Sequence, residues 1–220
     1  MIFSRVTKES VFDAVILGDG AFPKHPYALS ALIRAPYVCC CDGAGAKLIA
    51  YGLMPDAIVG DGDSLSADFK KRYQPIIHIV NEQEDNDQTK STRHCASLGY
   101  RHIAYLGMTG KREDHTLGNI SLLCRYMHEF DIRPVMVTDH GYFIPACGDN
   151  TFESFRGQQI SIFNINSHSL TGEGFRWAPY TYNSLWQGTL NESLGDKISI
   201  HADGDYLLFM THEGKQPPTK

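Results

Sequence analysis

Residues 37–64 read YVCCCDGAGAKLIAYGLMPDAIVGDGDS, and their order decides the fold. A short apolar run, Tyr37–Cys41, gives way to Asp42-Gly43-Ala44-Gly45. A helical pattern over Ala44–Tyr51 follows, with Gly52 and Pro55 as stop signals. A second apolar run, Ala57–Val59, then leads into Gly60-Asp61-Gly62-Asp63-Ser64. Runs this short and apolar, joined by a helix, predict neighbouring parallel strands covered on both faces.

The same alternation extends in both directions. Further apolar runs stand at Val11–Leu17, Ile76–Val80, His102–Leu106 and Pro134–Val137, with helical patterns at Pro26–Ala35, Asn86–Leu98 and His115–Phe130. In the last of these, Leu117, Ile120, Cys124 and Met127 share one face of a 3.6-residue helix. This predicts an α/β domain over residues 1–140, built on a mostly parallel, Rossmann-like sheet. After Asp139 the helical period stops. Thr151–Phe155, Gln159–Ile165, Lys197–His201 and Tyr206–Met210 are strand-like pieces between turn pairs such as Gly148-Asp149 and Asp203-Gly204. They predict a small antiparallel β-sandwich over residues 141–215. The end, from Glu213 through Pro217-Pro218, reads as a loose tail, with 216–220 outside either domain.

Composition excludes several classes. Apolar residues are 42% and charged residues 20%, which suits neither a disordered tail nor a fibre. The net charge of -5 argues against a generic nucleic-acid binder, whose affinity rests on clustered Lys and Arg. No apolar run approaches the ~20 residues of a membrane span. MIFSRVTKES at the start lacks the apolar stretch of a signal peptide. None of the six cysteines stands in a Cys-x-x-Cys pair. They are expected to be reduced, buried small hydrophobes of a cytoplasmic protein rather than zinc ligands.

Open α/β sheets bind ligands at the carboxyl ends of their strands. The polar clusters fall there: Gly18-Asp19-Gly20, Asp42–Gly45, Gly60–Ser64, Asn81–Asp87 and Gly107–His115. Asp61 and Asp63, two residues apart in a glycine-rich turn, are hard oxygen ligands suited to Mg²⁺. Taken alone, they are equally a solvated Asp-Gly turn. Asp42, Asp85 and Asp87 converge on the same rim, and several unpaired carboxylates there call for a cation. Thr109-Gly110-Lys111-Arg112 sets two cations at a helix mouth, a phosphate site by chemistry and a basic surface loop by the plainer reading. Asp114 is the expected N-cap of the following helix. His115 is expected to orient Asp114, with no proton-transfer role; His78 and His102 read as core or edge residues. Carboxylates beside phosphate-binding cations point to nucleotide chemistry. No Gly-x-x-x-x-Gly-Lys-Ser/Thr loop is present, nor a Gly-x-Gly-x-x-Gly after the first strand.

Four ordered motifs resemble the thiamine pyrophosphokinase family. They are Cys41-Asp42-Gly43-Ala44-Gly45-Ala46, Pro55-Asp56 through Gly60-Asp61-Gly62-Asp63-Ser64, Asp85-Asn86-Asp87 with Thr89-Lys90 beyond, and Gly107-Met108-Thr109-Gly110-Lys111-Arg112-Glu113-Asp114-His115 through Asn119. The resemblance implies transfer of diphosphate from ATP to the hydroxyl of thiamine, giving thiamine diphosphate and AMP. It implies Mg²⁺, with Mn²⁺ as a substitute, and a homodimer with sites between subunits. Asp61, Asp63 and Asp87 become the metal and catalytic carboxylates, with Asp85 and Asp87 both open as the acidic-loop ligand and Asp63 as proton acceptor. Asp42, Gly43, Ser64, Thr109, Gly110, Lys111, Arg112, Asp114 and Asn119 become nucleotide and phosphate contacts and their supports. In the β domain, Trp177 of Gly174-Phe175-Arg176-Trp177 is expected to stack on thiamine, the plainer reading being core packing, and Asn191 to line the same pocket. The chain departs from the family pattern at Asp19, where Asn is usual, and at Leu190, where Ser is usual.

Two other classes use similar parts. A metal-dependent nucleotide-sugar transferase also holds a metal–diphosphate on an Asp-x-Asp loop, and a non-catalytic thiamine or nucleotide sensor would bind without turnover.

Overall fold

The computed structural model describes residues 1–215, so the tail expected at 216–220 lies outside the described residues. The chain divides into two compact units, Lys8–Thr138 and Met1–Thr7 together with the residues from Asp139 on. Its first half runs β1 (Ile2–Phe3), β2 (Ala14–Leu17), α1 (Pro26–Arg34), β3 (Val38–Cys41), α2 (Ala44–Tyr51), β4 (Ala57–Gly60) and α3 (Ala67–Tyr73). A 3₁₀ turn, Gln74–Ile76, leads into β5 (Ile77–Ile79), α4 (Asp87–Ser97), β6 (His102–Leu106), α5 (Glu113–Glu129) and β7 (Arg133–Val137). The rest comprises β8 (Gly141–Cys147), β9 (Asn150–Glu153), β10 (Gln158–Asn164), β11 (Leu170–Glu173), a 3₁₀ turn (Leu185–Gly188), β12 (Asn191–Glu192), β13 (Lys197–Ala202) and β14 (Asp205–Gly214).

In the α/β unit six strands pair in the order β7-β6-β2-β3-β4-β5, all parallel. Every residue of β2, β3 and β4 is buried, as expected of a sheet covered on both faces. Helix α4 packs on β2, β3 and β4, yet its buried face is polar. Thr89 Oγ1 pairs with the Tyr126 hydroxyl at 2.7 Å, and Thr92 Oγ1 pairs with the Tyr105 hydroxyl at 2.9 Å, so these buried groups are satisfied. Helix α3 escapes the sequence pattern because it buries no side chain and so carries no apolar stripe.

Strands β2 and β6 are neighbours whose connections leave toward opposite edges of the sheet, which makes a crevice at their carboxyl ends. The two loops there are laced by backbone bonds. Gly18 N–H donates to Leu106 O (2.8 Å), Gly20 N–H to Gly107 O (2.7 Å) and Ala21 N–H to Thr109 O (2.8 Å).

The second unit holds strands in the orders β1-β9-β13-β11 and β12-β10-β14-β8. All its pairings are antiparallel except β1 with β9. The first seven residues thus leave the α/β unit, correcting the expected 1–140 boundary. Phe3 stands opposite Phe152 and the two rings stack with centroids 4.8 Å apart. Asn150 Nδ2 on β9 donates to the Tyr206 hydroxyl on β14 at 3.0 Å, tying the two strand sets together. Strand β14 runs past Met210 to Gly214, which pairs with Gln158, so Glu213 and Gly214 belong to the sheet rather than to a tail. Five cysteines are buried and free; Cys147, against expectation, is free and exposed. Among the described residues, no helix is long and apolar enough to cross a membrane.

Candidate active site

A cleft of about 730 Å³ opens at the carboxyl ends of the α/β strands. All five expected loops reach it: Asp19 after β2, Asp42 and Gly43 after β3, Asp61 and Ser64 after β4, Gln83 through Asn86 after β5, and Thr109, Lys111 and Arg112 after β6. Asp87 and Lys90 enter from the first turn of α4, and His115 and Asn119 from α5.

One wall is acidic. Asp42 closes β3 with a left-handed backbone (φ 36°) and is almost fully buried. Its Oδ2 accepts the Ser64 N–H at 3.1 Å, while its Oδ1 is buried with no partner. Across Gly60 stands Asp87. A Cβ on Gly60 would lie 3.3 Å from Asp42 Cγ and 3.2 Å from Asp87 Oδ1, so only glycine lets the two carboxylates close on one point. Burial pushes the Asp87 carboxyl up, and the Asp42 and Asp61 charges push it further, against Lys90. Asp61 accepts the Asp63 N–H on Oδ1 (3.0 Å), which holds its own carboxyl below the usual range. Asp63 itself is exposed and does not line the cleft.

Asp85 has a different task from Asp87. Arg125 Nη1 donates to its Oδ1 at 2.7 Å and Arg93 binds its Oδ2. Both oxygens are taken, and the guanidiniums, Arg125 first, hold its carboxyl low. Asp85 ties the acidic loop to α4 and α5. Asp87 instead interacts with the charges of Asp42 and Asp61, and Glu84 of the same loop also lines the cleft.

The opposite wall is cationic and already paired. Asp19 bridges Lys47 (2.5 Å) and Lys111 (3.2 Å). Arg112 forks onto Asp114 through Nε (3.1 Å) and Nη2 (2.5 Å), and that guanidinium holds Asp114 down to about 2. Asp114 is not the N-cap: α5 starts at Glu113, and Arg112 occupies the cap position without a side-chain bond. Asp114 lies in the first turn instead, where a carboxylate still suits the helix dipole. It accepts the His115 N–H at 2.9 Å. Gly110 turns the loop with φ 85° and, like Asp114, is not part of the cleft wall. Asn119 is a support: its Nδ2 donates to Met108 O (2.8 Å) and its Oδ1 accepts from Asn86 Nδ2 (3.1 Å).

Trp177 and Asn191 belong to the other unit. Trp177 is 55% exposed, so core packing does not explain it. The Arg176 guanidinium lies 5.0 Å from its ring centroid. Asn191 is buried and pins the Trp177 backbone, donating to its carbonyl (2.7 Å) and accepting its N–H (3.2 Å). Leu190 is exposed and left-handed (φ 64°). Gln88 and Lys90 also line the cleft, and the sequence assigns neither a role there. The i,i+3 spacing of Asp87 and Lys90 on a helix was the available signal for one of them.

Residues 29–136 match the family model for the thiamin pyrophosphokinase catalytic domain, and residues 141–209 match that for its substrate-binding domain. The chain is 30% identical over 174 residues to thiamine pyrophosphokinase 1 of Oryza sativa subsp. japonica, a match covering 70% of this chain and 64% of that protein. It is 28% identical over 144 residues to thiamine pyrophosphokinase of Bacillus subtilis, covering 62% of this chain and 67% of that one. The match thus spans slightly less than two thirds of the rice relative's length. In fold it is similar to thiamin pyrophosphokinase from Candida albicans, with TM-score 0.77 and 17% identity over 96% of this chain and 92% of that chain. The Bacillus subtilis structure gives 0.73 at 19% identity, over 93% and 100%. With both domain models matched in order along its length, the chain belongs to the thiamine pyrophosphokinase family.

Proposed function

We propose that the protein transfers the β,γ-diphosphate of ATP to the hydroxyl of thiamine, releasing AMP and thiamine diphosphate. The observation that carries this reading is one cleft in which Asp42, Asp61 and Asp87 face Thr109, Lys111 and Arg112. The thiamine oxygen bonds the β-phosphorus as the bond from that phosphorus to the oxygen left on AMP breaks. Such a transfer needs in-line positioning and neutralised charge rather than a covalent intermediate.

A divalent cation, Mg²⁺ with Mn²⁺ as a substitute, fits the acidic wall on two observations. Asp42 Oδ1 is buried without a partner, and Gly60 leaves room for Asp42 and Asp87 to converge. Asp42, Asp61 and Asp87 would hold the ion, with Asp63 beside Asp61. When bound, it screens phosphate charge. Lys111 and Arg112 bind phosphate oxygens at the mouth of α5, exchanging their carboxylate partners for the substrate. Ser64, Thr109 and the backbone at Gly43 orient the nucleotide, with Gly110, Asp114 and Asn119 as supports. The proton of the thiamine hydroxyl passes to a carboxylate within hydrogen-bond reach. Asp87 lines the cleft, whereas Asp63 is exposed and outside its wall, so Asp87 is the carboxylate better placed to take it.

Trp177 offers an aromatic face for the cationic thiazolium, steadied by Asn191. We further infer a homodimer. Trp177, Leu185, Trp186 and Leu190 of the second unit are all more than half exposed, a concentration of large apolar side chains that suits an interface. The test of the activity is incubation of purified protein with ATP, Mg²⁺ and thiamine. AMP and thiamine diphosphate in equal amounts support it; nucleotide binding without turnover would leave a sensor.

A further inference from the structure

Lys90 is the cleft's least expected side chain. It is 4% exposed, yet it lines the cleft from the first turn of α4. Burying an ammonium is costly unless it is paired and hydrogen-bonded. A helix N-terminus, with its partial positive charge, makes the position worse for a cation. Its carboxylate partner is not at close range. Asp87 Oδ1 stands 3.6 Å from Nζ, longer than a normal hydrogen bond. The neighbouring cations differ: Lys111 is bonded to Asp19 and Arg112 to Asp114. Among the described lysines and arginines that line the cleft, Lys90 has the longest ion pair, 3.6 Å to Asp87 against 3.2 Å for Lys111 to Asp19 and 2.5 Å for Arg112 to Asp114.

Three N–H donors held beside three carboxylates are placed for a ligand that is anionic where the wall is anionic. A diphosphate has this character, because phosphate oxygens brought to Asp42, Asp61 and Asp87 need a cation behind them. Resting on the reading above, we propose that Lys90 binds the diphosphate group in transit. Its ammonium donates to a non-bridging oxygen of that group, with Asp87 as its tether, and it gives up no proton during transfer. The interaction strengthens as charge develops on the moving group, so it acts on the chemical step more than on thiamine binding.

The experiment uses Lys90→Met and Lys90→Arg in the full chain, with methylenediphosphonate as a non-reacting probe. At saturating Mg²⁺, calorimetry should show Lys90→Met weakening diphosphonate affinity at least about tenfold, and Lys90→Arg recovering part of it. In turnover, kcat should fall roughly 100-fold while the thiamine KM stays within about threefold. Unchanged diphosphonate affinity in folded Lys90→Met overturns the proposal, as does a kcat loss cured by raising Mg²⁺, which would mark Lys90 as a counter-ion for the carboxylates. Wild-type protein that does not bind the diphosphonate also overturns it. Wild-type protein that binds the probe but leaves thiamine unchanged refutes the thiamine reading instead, and the binding comparison still decides Lys90. Should Lys90→Met fail to fold, Lys90→Gln carries the same comparison.

Discussion

Asp42 and Asp87 meet over Gly60: a Cβ built there would sit 3.3 Å from Asp42 Cγ and 3.2 Å from Asp87 Oδ1. It would also sit 2.8 Å from Asp42 Cβ, so something must shift, and the left-handed backbone of Asp42 has little room to do so. Gly60→Ala is expected to separate the two carboxylates. It should reduce turnover at least about tenfold and cost ~1–3 kcal/mol of stability, the range for overpacking. Kinetics beside thermal unfolding check this, and wild-type turnover in the Ala variant would remove Gly60 from the account.

Asp61→Asn and Asp87→Asn should each lower turnover by at least ~100-fold without unfolding the chain, the scale for a positioned catalytic group. Asp63→Asn should rank below both, since Asp63 is exposed and outside the cleft wall. Steady-state kinetics of the three variants at equal protein concentration gives the ranking. A loss confined to Asp63→Asn would reverse the assignment.

Excess chelator should abolish activity, and Mg²⁺ or Mn²⁺ should restore it, because the carboxylates and the phosphates are all anionic. Full activity of metal-stripped protein in chelator would contradict the cation assignment.

Asp85 is expected to contribute mainly to stability, because both its oxygens are held by arginines. Asp85→Asn weakens the ties to Arg125 and Arg93 and should cost ~1–3 kcal/mol, the range for losing a charged hydrogen-bond partner. The native carboxyl is held low, so its stabilisation is fully present above the ordinary Asp value of ~3.9 and is lost as pH falls through the depressed value. The Tm gap between wild type and Asp85→Asn should therefore be full at neutral pH and close below about pH 4. A gap unchanged down to strong acid would rule out the ion pair as its source.

Trp177→Ala should raise the thiamine KM by the equivalent of ~1–3 kcal/mol, leave the ATP KM nearly unchanged, and shift Tm little, because the ring is 55% exposed. Asn191→Ala should raise the same KM and also lower Tm, since it removes two bonds to the Trp177 backbone from a buried site. A large Tm loss in Trp177→Ala with normal thiamine KM would return Trp177 to a packing role.

Much of the α/β unit is legible because strands buried on both faces read as plain apolar runs; β6 falls at His102–Leu106, where the run stands. Helix α3 is not legible, since a helix with no buried side chain leaves no period to find. Strand β8 hides for the opposite reason: Gly141–Cys147 is buried nearly throughout and shows no alternation. The five loops of the cleft follow from the rule that ligands gather at strand ends. The separate tasks of Asp85 and Asp87 do not, because they depend on Arg125, which is 40 residues further along the chain. Lys90 appears in sequence only as the end of the acidic-loop motif, and its burial comes from the packing of α4 on the sheet.

ATP labelled with ³²P at the β position distinguishes attack at that phosphorus from attack elsewhere. After incubation with thiamine and Mg²⁺, the label is expected in thiamine diphosphate, with an equal amount of unlabelled AMP. Label left in ADP, or in a nucleotide product with thiamine unchanged, would contradict it.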